Sequence, residues 1–242
     1  MNLKVYTYPK FGDHCVAFGI IKEFSKLHDK ILCYSDLMDD NTFETNKRLF
    51  QSMKNVEVIK EPYNENICVR DFGIANTPGW FEKCMPWILD HSLPLPDWFN
   101  ENWIFDRQWY MNAEVPFEKK WDNFFFERDM AKEKIVFYDI LGLKDNEEFI
   151  FLQEDPSRNF YLNSAYINKD IKHIEFHNHK DINILDILYT VEKAKEVHTY
   201  NTGLATFIDL MNINHPNLYY HKYIRPWAFD QPAMRLNWRI IN

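Results

Sequence analysis

The sequence predicts an α/β protein made of two successive, small parallel-sheet halves. Three features carry this. Short apolar runs alternate with helix-period segments before residue 62, the same alternation resumes after residue 126, and a stretch dense in proline and tryptophan lies between. Strands alternating with helical patterns of about 10–15 residues suit right-handed parallel crossovers.

The first half opens with a buried strand over Lys4 to Tyr8. From His14 onward, Ala17, Ile20, Ile21, Phe24 and Leu27 recur at helical spacing and predict an amphipathic helix. "KILCYSD" (Lys30 to Asp36) is a second strand, and "TFETNKRLFQSM" a helix capped by Thr42 with Phe43, Leu49, Phe50 and Met53 facing inward. "VEVIKE" (Val56 to Glu61) is a third strand.

The second half repeats the order without repeating the residues. A charged helix from about Glu127 to Leu141 precedes the strand "EFIFLQED" (Glu148 to Asp155), and "KHIEFH" (Lys172 to His177) follows a polar excursion. The helix "ILDILYTVEKAK" shows Ile184, Ile187, Leu188, Val191 and Ala194 on one face. A strand "EVHTYN" (Glu196 to Asn201), a helix "TGLATFIDLMN" and a last strand "NLYYHKYI" (Asn217 to Ile224) complete it.

Between the halves stand Pro78, Pro86, Pro94, Pro96 and Pro116 with Trp80, Trp87, Trp98, Trp103, Trp109 and Trp121. Proline at that density breaks long elements, and so many tryptophans must be partly buried. The stretch reads as short helices over the first sheet, with a linker near Val115 to Trp121. Its aromatics are either inter-domain core or a platform that stacks on a sugar or base. The expected domains are therefore 1–115 and 116–242.

Composition excludes several functions. A net charge of −8 without a Lys/Arg run argues against duplex nucleic acid. Only six glycines occur, with no G-x-G-x-x-G and no G-x-x-x-x-G-K-[ST], which argues against the usual dehydrogenases and P-loop phosphotransferases. Cys15, Cys33, Cys68 and Cys84 form no C-x-x-C pair, so neither structural zinc nor a disulfide framework is expected, and a reducing compartment fits. No secretory signal or membrane-spanning run is evident, so the chain reads as soluble and cytoplasmic.

In open parallel sheets, ligands bind beyond the carboxyl ends of the strands, near helix N-termini that favour anions. After the first strand comes Gly12-Asp13-His14, where Asp13 either caps the helix or projects as a base. After the strand ending at Leu152 comes Gln153-Glu154-Asp155-Pro156-Ser157-Arg158, either a proline turn held by an Arg–carboxylate pair or a diphosphate site with Arg158 as bidentate donor. Asn201-Thr202-Gly203, just before an apolar helix, is either a plain N-cap or an anion cradle. His173, His177, His179, His215 and His221 were weighed as metal ligands, but no cysteine or carboxylate stands at ligand spacing, and a sheet edge explains His173 and His177 better.

With these residues in place, the chain resembles a glycosyltransferase of the GT-B type: two Rossmann-like domains facing a cleft. "TYPKFGDHCVAFGIIKEF" is similar to the heptosyltransferase-like branch, and the stretch from "VPFEKKWDNFFFERDM" through "FIFLQEDPSRNF" to "TYNTGLATFIDLM" resembles polysaccharide-cluster glycosyltransferases of bacteria and large viruses. The resemblance implies that Asp13 is the general base on an acceptor hydroxyl. It further implies that Gly12, Glu154, Asp155, Ser157, Arg158, Asn201, Thr202 and Gly203 bind a nucleotide-sugar donor, with no metal and no cofactor. The expected function is metal-independent, inverting sugar transfer to a glycan or other hydroxyl acceptor. The alternatives are a non-catalytic carbohydrate- or nucleotide-binding protein on the same fold, and a nucleotide-sugar epimerase or hydrolase. At 242 residues the chain is short for this fold, so its sheets or loops must be trimmed.

Overall fold

The computed structural model describes residues 2–6, 10–34, 39–60, 70–71, 105–179, 181–225 and 231–242. Trp80, Trp87, Trp98 and Trp103, with the prolines among them, lie outside the described residues. The chain divides into two compact units, Met1–Phe124 with Trp227–Ala233, and Phe125–Pro226 with Met234–Asn242. The division falls at residue 124, beyond the expected 115, for a packing reason given below.

In the first unit, β1 (Asn2–Tyr6), β2 (Lys30–Tyr34), β3 (Val56–Ile59) and the two-residue β4 (Arg70–Asp71) form a parallel sheet in the order β3-β2-β1-β4. Asn2 pairs with Lys30 and Ile31 with Val56, and the sheet is closed by two helices, α1 (Phe11–Ser25) and α2 (Asp40–Phe50). Asp39, not Thr42, caps α2: its carboxylate accepts from the Thr42 backbone N–H at 2.7 Å and from the Thr42 hydroxyl at 3.1 Å.

Helix α1 starts three residues earlier than expected and is buried almost all round, from Phe11 through Phe24. The reason lies in what covers its outer side. α3 (Phe105–Asn112) and the single turn α4 (Lys119–Asp122) lie against it. Phe18 stacks on Phe50 at 5.5 Å and meets Phe124 at 4.9 Å. Gly19 is required at this crossing, because a β-carbon there would collide with the Lys119 carbonyl and the Tyr110 hydroxyl. Asn123 also donates to the Gly19 carbonyl at 3.1 Å. The segment Val115 to Trp121, expected as a linker, instead packs against α1 and buries Val115 and Lys120. Leu27, expected on the apolar face, is 77% exposed just past the helix end.

At the centre of this covering layer the Lys120 ammonium and Asp106 carboxylate meet at 2.6 Å with essentially no exposure. Asp106 also accepts from the backbone N–H groups of Arg107 and Ala233, while Lys120 donates to the Ala233 carbonyl and lies 4.7 Å from the Trp121 ring centre. Residues 231–233 are thereby fixed to the first unit.

In the second unit, β5 (Phe149–Leu152), β6 (Lys172–Glu175), β7 (Glu196–Thr199), β8 (Leu218–His221) and β9 (Arg239–Ile241) form an all-parallel sheet in the order β6-β5-β7-β8-β9. The final segment contributes β9 at the sheet edge. The buried Asp209 carboxylate directs it there, accepting from the N–H groups of Arg235 and Leu236 and from the Trp238 indole.

The helices are α5 (Met130–Ile135), continued by a π turn over Val136–Ile140, then α6 (Leu188–Lys193) and α7 (Gly203–Leu210). The charged pattern read as one helix from Glu127 to Leu141 is therefore a shorter, two-part element capped by Asp129. Among the described residues no α-helix lies on the opposite sheet face. Residues 159–171 lie over it as a strap, and Leu162 and Ile167 pack on Ile150 and Leu152, with Ile171 and Ile224 alongside.

Removing one member of the buried pair exposes its cost. Lys120→Met is expected to lower stability by about 3–5 kcal/mol, since it leaves the Asp106 carboxylate buried without its cation. Lys120→Met combined with Asp106→Leu is expected to lose much less. Urea unfolding of the single and double variants checks this; equal losses would contradict it.

Candidate functional site

In the second unit the chain leaves β5 toward one side of the sheet and β7 toward the other, so the order β6-β5-β7-β8-β9 reverses between β5 and β7. Such a reversal opens a crevice beyond the strand ends, where open parallel sheets bind ligands. Gln153 spans it. Its backbone N–H donates to the His198 carbonyl at 2.9 Å, and its side-chain oxygen accepts from the hydroxyls of Thr199 (3.3 Å) and Thr202 (3.0 Å).

Thr202 is also the N-cap of α7, accepting from the Ala205 N–H at 3.3 Å. It performs the plain capping role considered from the sequence, and Gly203 is the first helical residue. The side-chain cap leaves the N–H groups of Gly203 and Leu204, at the positive end of the helix, without such a partner. Asn201 is buried, and its carbonyl accepts from Arg225 at 3.2 Å.

The turn after β5 is held largely by itself. Asp155 bridges to Phe160, and its carboxylate accepts from the Ser157 hydroxyl and from Arg158 Nε, the latter at 2.6 Å. Partial burial works against the Asp155 carboxylate, but these two hydrogen bonds outweigh it and hold its pKa below the usual range. Asn159 completes the turn in the left-handed region at φ 59°. Glu154 accepts from the Leu162 N–H at 2.7 Å, fastening the strap. The guanidinium of Arg158 lies 5.1 Å from the Phe160 ring centre, and its side chain is 52% exposed.

The sequence placed Glu154, Asp155, Ser157, Arg158, Asn201, Thr202 and Gly203 at strand ends, and the structure brings them to the ends of the adjacent strands β5 and β7. Gly12 and Asp13 belong to the other unit. Both sit in the first turn of α1, which begins at Phe11 with Lys10 as N-cap, so Asp13 is not the cap. Asp13 is half-buried at the carboxyl side of β1, where that sheet's order also reverses. Its charge adds to burial in raising the Cys15 thiol pKa.

Sequence reasoning passed over Gln153 as a site residue and missed Tyr200 and Arg225. The signal was available for two of them: Gln153 and Tyr200 directly follow β5 and β7, whereas Arg225 comes after a further turn beyond β8. It also missed a buried relay on the strap side of the sheet. The Asn163 N–H donates to the Tyr223 oxygen at 2.6 Å, and Tyr223 reaches His221 Nδ1 at 3.0 Å. His221 Nε2 meets His198 Nδ1 at 2.9 Å, and His198 Nε2 meets Glu196 at 3.0 Å. Burial favours the neutral form of both imidazoles, and the carboxylate can only accept, so the protons in the row point from Tyr223 toward Glu196. His215 is likewise committed, donating to the Ala194 carbonyl and accepting from the Asn217 N–H. Among the described residues no group of three or more His, Cys, Asp or Glu is placed to hold a metal, and no helix is long and apolar enough to cross a membrane.

No protein-family model matches the chain, and no curated protein matches it either. Among solved structures it is similar to a glycosyl transferase family 9 protein from Veillonella parvula DSM 2008, with a TM-score of 0.54 and 8% sequence identity over 99% of this chain and 86% of that one. The likeness establishes the class of fold: two Rossmann-like α/β units of the kind found in GT-B glycosyltransferases.

Burial lowers the pKa of both relay histidines, His221 to about 4. The stability held in their neutral forms is complete above the unfolded value of about 6.5. It is lost as pH falls through that value toward about 4. The urea midpoint is therefore expected to drop between pH 7 and pH 4.5, and to drop less in His221→Gln; identical profiles would refute the assignment.

Proposed function

We propose that this protein transfers a sugar from a nucleotide-sugar donor to a hydroxyl acceptor, without a metal and with inversion. The observation that carries the reading is the reversal of strand order between β5 and β7. It sets Arg158 and the N-terminal end of α7 at the carboxyl edge of the sheet, in a fold of the glycosyltransferase class. A departing nucleoside diphosphate needs oriented donors, and an arginine edge beside a helix N-terminus supplies them. In this reading the second unit takes the donor through Arg158, Asn201, Thr202 and Gly203. Glu154, Asp155 and Ser157 hold the turn that carries Arg158.

Asp13 in the first unit takes the proton of the acceptor hydroxyl as that oxygen attacks the anomeric carbon. The bond to the diphosphate breaks in the same displacement, which inverts the configuration. Gly12 lets the turn approach its ligand. A carboxylate in the first turn of a helix is held ionised by the dipole, which suits a base.

One observation favours the non-catalytic alternative: Glu154, Asp155 and Thr202 already have partners within the protein. The two readings separate cleanly. For the transferase, a nucleotide-sugar at about one hundred times its dissociation constant should add roughly 2.7 kcal/mol of stability, with or without EDTA. Asp13→Asn should keep that melting shift while turnover falls about 10²- to 10⁴-fold. A shift without any turnover in the wild type would favour the binding protein, and no shift with any nucleotide-sugar would sink the donor assignment.

A further inference from the structure

We propose that the Tyr200 hydroxyl binds a charged phosphate oxygen, and that a diphosphate-bearing ligand completes its hydrogen bonding. The inference rests on the donor reading above and adds a residue that reading does not require.

Tyr200 has no exposed surface, yet its hydroxyl meets no hydrogen-bond partner among the described residues. A buried polar group left unbonded costs about 1–3 kcal/mol, so proteins seldom keep one without a use. In this unit His177 Nδ1 and Thr190 Oγ1 are also without partners, but neither follows a central strand. Tyr200 directly follows β7, beside the reversal of strand order, where a ligand is expected.

The local charges define the ligand. Thr199 points to the Gln153 and Thr202 side, so Tyr200, one residue on, turns to the opposite face. There its ring meets Phe160 nearly edge-on at 5.6 Å, and Arg158 lies over Phe160. Arg158, Arg225 and Asp155 are the charged groups that act on the phenol. Arg158 approaches the phenol closely enough to favour its ionised form, but without the distance and angle of a formed hydrogen bond. Both nearby carboxylates are occupied, Glu154 by the Leu162 N–H and Asp155 by Ser157 and Arg158 Nε. What remains open is a phenol O–H and the outer edge of a guanidinium, both donors. Such a pair calls for an acceptor carrying negative charge, as a phosphate oxygen does. The Arg158 side chain is 52% exposed, so its guanidinium is within reach of an incoming anion.

Tyr200→Phe tests this, because it removes only the oxygen. Inorganic pyrophosphate and UDP would be titrated calorimetrically into the full chain, alongside the melting temperature without ligand. The variant should melt at the same temperature or higher, since an unbonded polar atom has been removed. Its affinity for pyrophosphate should fall about tenfold or more, as loss of a charged hydrogen bond implies. Unchanged affinity in the variant would overturn the proposal and leave the donor reading standing. A lower melting temperature would overturn it differently, by showing that the hydroxyl is already bonded in the resting protein. Failure of the wild type to bind pyrophosphate, UDP or any nucleotide-sugar would overturn both this proposal and the donor reading.

Discussion

A parallel sheet buries the middle of its strands and leaves their carboxyl ends to be finished by whatever loops depart from them. That constraint organises the second unit. β5 and β7 lie side by side but send their chains opposite ways, so no continuous element can close the gap between their ends. The Gln153 side chain closes it, accepting from Thr199 and Thr202 and so tying the end of one strand to the cap of the helix that follows the other. The turn beyond Gln153 is then free to carry Arg158 outward.

Buried charge elsewhere follows one rule: each ion comes with partners that satisfy it from several directions. Lys120 and Asp106 are fixed by backbone groups as well as by each other. The fully buried Glu133 takes two nitrogens of Arg128 and the Tyr189 N–H, fastening α5 to α6. These groups fix geometry; replacing such pairs by apolar residues is often neutral for stability. Against this background the Tyr200 hydroxyl, without a partner among the described residues, differs in lying directly after a central strand beside the reversal of strand order.

The two faces of the second sheet are finished differently. One carries helices with apolar inner faces. Among the described residues the other carries a strap, and polar side chains from the strands themselves fill part of the layer. His198 stacks on Tyr219 at 4.4 Å, and the chain of protons from Tyr223 to Glu196 satisfies each buried nitrogen in turn. A strap offers fewer apolar side chains than a helix, so the strands must contribute hydrogen bonds of their own.

The alternation of short apolar strands with helical spacing was enough to place both parallel units and to locate Glu154, Asp155, Arg158 and Thr202 at strand ends, because period and strand polarity are local properties of the chain. It could not give the helix start at Phe11, since that depends on α3 and α4 covering the outer side of α1. Nor could it show that Val115 to Trp121 packs on α1 rather than linking two domains, because the Lys120–Asp106 pair joins residues that no local pattern connects. The terminal strand β9 likewise depends on a distant residue: Asp209, about 30 positions upstream, bonds the segment that leads into it. Strand order, and with it the crevice between β5 and β7, was decided only in three dimensions. Hydrogen bonding between strands far apart in sequence sets which ends become neighbours, and neighbouring ends are what make a site.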